Sequence, residues 1–139
     1  KNMFFKKKKD ENEGGDFAKV AALLIHAAKI DENYSNLEEK IIKQALLKLG
    51  ANEQNIQMII KEGEKIEENS NQILDFTKEI KMMNEDDKIK IVETLWSIIY
   101  SNKEVDMYEA NLMRRLAGLM YVDKKTMADI KYKIKKEYS

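Results

Sequence analysis

Cysteine and proline are absent from the 139 residues, and histidine occurs once, at His26. Without cysteine there can be no disulfide, thiolate zinc site or cysteine nucleophile. One histidine rules out a multi-histidine metal site, so any metal would be held mainly by oxygen. With no proline and only five glycines, the chain has few of the residues that interrupt helices. Charge of one sign is missing too: 25 basic and 25 acidic side chains cancel, which removes the long-range pull that draws a basic domain to nucleic acid. No apolar run approaches the roughly 18 residues that span a bilayer, so no stable membrane insertion is expected. Near the start, Met3, Phe4 and Phe5 lead into four lysines. Three apolar residues do not make a secretory signal, and the expected location is the cytoplasm.

What is present favours one soluble helical domain. Apolar residues make up 43% and charged ones 36%, too hydrophobic for general disorder and, at this length, enough for one core. Residues 1–15, with Lys6-Lys7-Lys8-Lys9 and Gly14-Gly15, lack an apolar period and read as a flexible charged leader. Residues 16–139 read as the domain. Asp16 is a suitable N-cap for a first helix carrying Phe17, Val20, Ala21, Leu24, Ala27 and Ala28 at spacings of three and four. Ser35 and Glu38 form a Ser-x-x-Glu capping box for a second helix, which should end in a left-handed turn at Gly50. Asn52 and Ser70 are read as opening a third and a fourth helix. A fifth runs from about Glu85 through Trp96 and Ile99 and should lie at the centre. Asp106 with Glu109 opens a sixth and Asp123 a seventh. The expected fold is all-α, a bundle of about seven helices.

The two halves align at a fixed offset without a gap. Leu24 matches Leu95, Glu38 matches Glu109, Ile42 matches Met113 and Ile59 matches Ile130, which points to a duplicated fold with pseudo-twofold symmetry and not to a solenoid of three or more repeats. Each half carries an acidic loop. The first runs from Asp31 through Asn33 and Ser35 to Glu38, and the second from Asn102 through Glu104 and Asp106 to Glu109. Oxygen-bearing side chains thus recur at the first, third, fifth and eighth places, a pattern that suits a hard cation such as calcium or magnesium. It is not an EF-hand, because Asn36 or Met107 stands where glycine is needed, and Ile42 or Met113 where a bidentate glutamate is needed. A second reading is complete without a cation: both helix starts need acceptors for their own amide groups, and Ser35, Glu38, Asp106 and Glu109 can supply them.

At these residues the chain resembles the tellurite-resistance protein B (TerB-like) family, whose signature is an acidic stretch, Asp-Gly-Glu-hydrophobic-Asp-x-x-Glu, between two helices. Asp31 through Glu38 looks like one occurrence. Glu104-Val105-Asp106-Met107-Tyr108-Glu109, preceded by Leu95 to Asn102, looks like the other. Asp31, Glu38, Glu104, Asp106 and Glu109 match the family's acids. Asn33, Ser35 and Asn102 replace acids, and Glu32 and Lys103 stand where the glycine would be. The resemblance implies a helical bundle acting in bacterial stress or tellurite resistance through protein contacts, with cation binding at the matching acids.

Other features carry weaker functional readings. His26 sits one turn before the first acidic loop, where it could add a nitrogen ligand or simply be a part-buried helix residue. Trp96, Tyr100 and Tyr108 either line a pocket or belong to the core. Arg114-Arg115, with Lys131, Lys133, Lys135 and Lys136, forms a solvated basic face suited to an acidic partner. No Ser-His-Asp set and no phosphate-cradling glycine loop is found, so a non-enzymatic binding domain is expected. The reading from another class is a carboxylate-metal enzyme, which would need its acids gathered in a deep pocket.

Overall fold

The first helix, α1, covers 17–28 of the residues that the computed structural model describes, which are 17–30, 34–101 and 107–139. The leader over 1–15, Asp16, Asp31 to Asn33 of the first acidic loop and Asn102 to Asp106 of the second lie outside the described residues. Within α1 only Lys19 and His26 reach solvent appreciably, and Leu23, Leu24 and Ile25 are fully buried on successive faces. A helix apolar around its whole circumference must be enclosed on all sides. Burying each of those large side chains contributes about 2 kcal/mol. The apolar period of α1 gives one stripe, but Ala18, Ala22, Leu23 and Ile25 are buried as well.

The following helices begin where polar side chains satisfy their first amides. In α2 (Asn36–Lys48) the Ser35 amide donates to Glu38 Oε1 at 2.8 Å and the Glu38 amide donates to Ser35 Oγ at 3.2 Å, completing the expected capping box. The helix ends at Gly50 with φ +110°, where the Gly50 amide donates to the Leu47 carbonyl and the Ala51 amide to the Leu46 carbonyl, a Schellman turn. Asn52 caps a single 3-10 turn (Glu53–Asn55) that leads into α3 (Ile56–Asn69). Ser70 does not open the fourth helix; its amide donates back to the Glu67 carbonyl at the end of α3. The fourth helix, α4, is only Leu74–Thr77, without a side-chain cap, and a second 3-10 turn covers Ile80–Met82. Ile73, Phe76, Ile80 and Met83 are buried through this stretch, so tertiary packing holds a segment whose ends lack caps.

Asn84 caps α5 (Glu85–Tyr100) by accepting the Asp87 amide at 2.9 Å. Like α1, α5 is buried on more than one face, with Ile91 and Ile98 as enclosed as Val92, Leu95 and Ile99. After α6 (Met107–Leu119) the chain turns through Tyr121 at φ 58°, the one described non-glycine residue with positive φ. Asp123 Oδ1 then accepts the Thr126 amide at 2.7 Å to start α7 (Lys124–Glu137). Among the described residues the protein is thus an all-α bundle of seven helices and two 3-10 turns.

Packing is arranged around the two enclosed helices. α5 lies against α7 and α2, α2 against α3, and α4 against α6. α3 crosses α1 closely at Gly63. Burial also follows the offset seen in the sequence: Leu24 and Leu95, Ile42 and Met113, and Ile59 and Ile130 are all buried. A twofold axis relating the halves remains an expectation of the sequence.

The α1–α3 crossing generates a stability prediction. A Cβ added at Gly63 would lie 2.7 Å from Ala21 Cβ, 3.1 Å from the Ala18 carbonyl oxygen and 3.2 Å from the Ala22 nitrogen. Two of these neighbours are backbone atoms and cannot swing aside. Alanine favours an isolated helix over glycine by about 1 kcal/mol, but overpacking costs about 1–3 kcal/mol. Gly63→Ala is therefore expected to lower stability in urea denaturation, and equal or greater stability would show that the crossing has room.

Candidate functional site

Two features stand out: the acidic starts of α2 and α6, and a groove between α6 and α7. Glu38 and Glu109 each occupy the first turn of their helix and are almost completely enclosed, at 0% and 3% exposure. A buried carboxylate needs donors or a counter-charge. For Glu38 part of that need is met by the Ser35 amide. A carboxylate has about four lone-pair sites, so capping and a cation contact at Glu38 are chemically compatible. Asp31, Glu104 and Asp106, the other acids expected at these sites, lie outside the described residues. Among the described residues no three histidine or acidic side chains are grouped to hold a metal. Tyr34, at the head of α2, packs on the core, and its hydroxyl is buried without a hydrogen-bond partner among the described residues. Burial, reinforced by Glu39, Glu64 and Glu38, pushes that phenol well above its ordinary pKa.

The groove has a volume of about 720 Å³ and is open to solvent. One wall is a face of α6 bearing Ala110, Met113, Arg114, Ala117 and Gly118, and the other a face of α7 bearing Lys124, Met127, Ala128 and Lys131. Trp96 of α5 lines it as well, 4% exposed, and its indole N–H is buried with no acceptor among the described residues. Lys131 Nζ lies 5.3 Å from the Trp96 ring centroid, a cation–π contact. Arg114 donates to the neutral Asn111 Oδ1 at 2.8 Å. Asp123 also borders the groove, but its carboxylate is engaged in capping α7. Among the described residues Arg114, Lys124 and Lys131 have no carboxylate partner, whereas Lys19, Lys29, Lys43, Lys125 and Lys133 each do.

The structure separates residues that the sequence grouped. Of the aromatics expected at a pocket, Trp96 lines the groove, Tyr100 is buried beside it at 5.9 Å between ring centroids, and Tyr108 is 77% exposed. The basic face divides as well. Lys133 reaches Glu93 of α5 at 2.8 Å and Lys136 lies over Tyr132, while Lys131 and Arg114 turn to the groove. Lys124 and the small residues of the groove drew no functional reading from sequence; their spacing along α6 and α7 is the signal that could have found them. His26 is placed by α1 against α3 and α4: its Nδ1 lies 3.2 Å from Glu67 Oε2 and its ring 6.0 Å from the Phe76 ring. Lys29 donates to the other oxygen of Glu67 at 2.9 Å.

A small all-helical module with capped acidic helix starts and a laterally open groove is the class of protein that these features define. No described helix is long and apolar enough to cross a membrane. The chain belongs to the family described as tellurite resistance protein TerB, whose family model matches residues 18–132. Neither a curated protein nor a solved structure matches the chain.

The Glu67 cluster ties α1 to α3 and has a defined pH dependence. Burial alone would raise the Glu67 pKa, but hydrogen bonds from Lys29 and His26 outweigh it and hold the carboxyl below its ordinary value. A carboxylate depressed in the folded state stabilises the fold above its unfolded pKa, and that contribution is lost as pH falls through the folded value. Glu67→Gln is expected to cost about 1 kcal/mol at neutral pH. The gap to the parent protein should narrow as pH falls below the ordinary glutamate value and close once Glu67 itself protonates at its lower folded value. A gap unchanged with pH in thermal melts would mean that the ion contacts contribute nothing.

Proposed function

We infer that the protein is a non-enzymatic module of a bacterial tellurite-resistance or stress-response system, working in the cytoplasm by binding a protein partner. The observation that carries this reading is the α6–α7 groove, an apolar channel bordered by three cations that have no carboxylate partner among the described residues. An exposed apolar surface with a polar border is what a binding module presents. Catalysis by carboxylates would instead gather the acids in one pocket. This groove is not lined by Glu38 or Glu109, and neither is a second groove of about 520 Å³ between α2, α5 and α7.

The acidic loops carry the finer part of the proposal: Asp31, Glu38, Glu104, Asp106 and Glu109 hold a divalent cation, calcium or magnesium. Support comes from the burial of both described carboxylates, Glu38 and Glu109, at corresponding places in two helices. Calorimetric titration of metal-free protein with calcium, magnesium, manganese and zinc tests it. Saturable heat at micromolar cation, lost in Asp31→Asn and in Glu109→Gln, is the expected result. Absence of heat, with both variants merely melting earlier, would assign the acids to capping alone. For the groove, cells lacking this protein should regain tellurite survival with the parent chain and fail to regain it with Ala128→Glu, which fills an exposed position in the groove. Full rescue by that variant would remove the groove from the function.

A further inference from the structure

The geometry points to an acidic amphipathic α-helix, contributed by another protein, as the occupant of the α6–α7 groove; this rests on the protein-binding reading above and names the partner's chemistry. The α6 wall consists of positions 110, 113, 114, 117 and 118, and the α7 wall of positions 124, 127, 128 and 131. Spacings of three and four on both helices mean that each presents one continuous side to the same channel. At a rise of 1.5 Å per residue, the α6 wall is about 12 Å long. Two helix faces flanking an open channel provide the ridges into which a third helix packs.

The walls permit close approach. Ala110, Ala117, Gly118 and Ala128 have little or no side chain, and a Cβ built at Gly118 would meet nothing within 4 Å. Interaxial distances between packed helices shorten as the contacting side chains become smaller. A small ligand would bury most of its surface in an enclosed site, whereas this channel is open to solvent along its side.

Charge then selects the kind of helix. Arg114, Lys124 and Lys131 border the apolar channel, and none has a carboxylate partner among the described residues. A helix with an apolar face and glutamates or aspartates beside it would meet complementary charge, and a basic helix would meet repulsion.

Trp96 is the only tryptophan in the chain, so its fluorescence reports on the groove directly. The full chain would be titrated with a synthetic amphipathic peptide of about five helical turns, leucine on one face and glutamate on the other, and with the same peptide carrying lysine for glutamate. Saturable change in Trp96 emission is expected with the acidic peptide, at least about ten-fold tighter than with the basic one. In the double variant Lys124→Glu, Lys131→Glu the preference should reverse, a gain of binding that misfolding cannot produce. Equal binding of both peptides, no binding of either, or a response to decanoate that the acidic peptide does not displace would each overturn the assignment. The tellurite rescue assay separates the two levels. If the peptides fail to bind but Ala128→Glu still cannot restore survival, the partner has other chemistry and only the acidic helix is lost. If Ala128→Glu restores survival fully, the groove is not the functional surface and both readings fall.

Discussion

The enclosure of α1 and α5 is the constraint on which the remaining architecture depends. Both helices are apolar on more than one face, so neither can lie on the surface of a two-layer arrangement. Their neighbours must supply cover from several directions: α2 and α7, each with one apolar stripe and one charged face, pack on α5, and α3 crosses α1 at Gly63. The cost of a misplaced atom is highest where the shell meets the centre. Gly63 allows α3 to approach the backbone of α1, and at that place packing overrides the intrinsic preference of a helix for alanine.

A shell of short helices creates many helix ends, and each end exposes amides that must be satisfied. The chain answers with Ser35 and Glu38, Asn52, Asn84 and Asp123, and with the left-handed turn at Gly50. Tyr121 takes the left-handed conformation without being glycine, and its exposed ring lies within 6 Å of Lys81 and Lys88 Nζ. Asp87 illustrates the opposite side of capping. Its amide is held by Asn84, but burial pushes its carboxyl pKa up despite Lys90 nearby, and Oδ2 has no partner among the described residues. Capping and the proposed cation binding draw on the same residue types, and Glu38 is a capping residue that also falls in the proposed set.

The groove follows from how α6 and α7 divide their surfaces. Leu112, Met113 and Leu116 of α6 and Met127, Ile130 and Ile134 of α7 face the core. The adjoining sides of both helices, with their small residues and cations, border the channel instead. Met113 and Met127 belong to both the core and the channel wall, so the proposed binding surface is continuous with the interior that stabilises the fold. The proposed partner would therefore sit on a rigid platform rather than on a loop.

Helical class, most of the helix starts and the membership of the TerB family were legible along the chain, because capping residues and apolar periods act over a few neighbouring positions. Ser70 misled for the same reason: its type suits an N-cap, but α3 ends there and α4 begins later, held by the burial of Phe76 and Ile80. Of the candidate acids, Glu38 was readable as a capping residue, yet its complete burial was not, since burial depends on what packs above the helix start. Arg114 and Lys131 were visible as basic residues, but their separation from Lys133 and Lys136 was not. Local hydrogen bonding and the apolar stripes are written along the chain, because they are set by neighbours three and four residues away. The enclosure of particular helices, the joining of Glu67 to His26 and Lys29, and the shared groove of Trp96, Gly118 and Lys131 come from packing alone, because those contacts link positions far apart in the chain and form only when the helices meet.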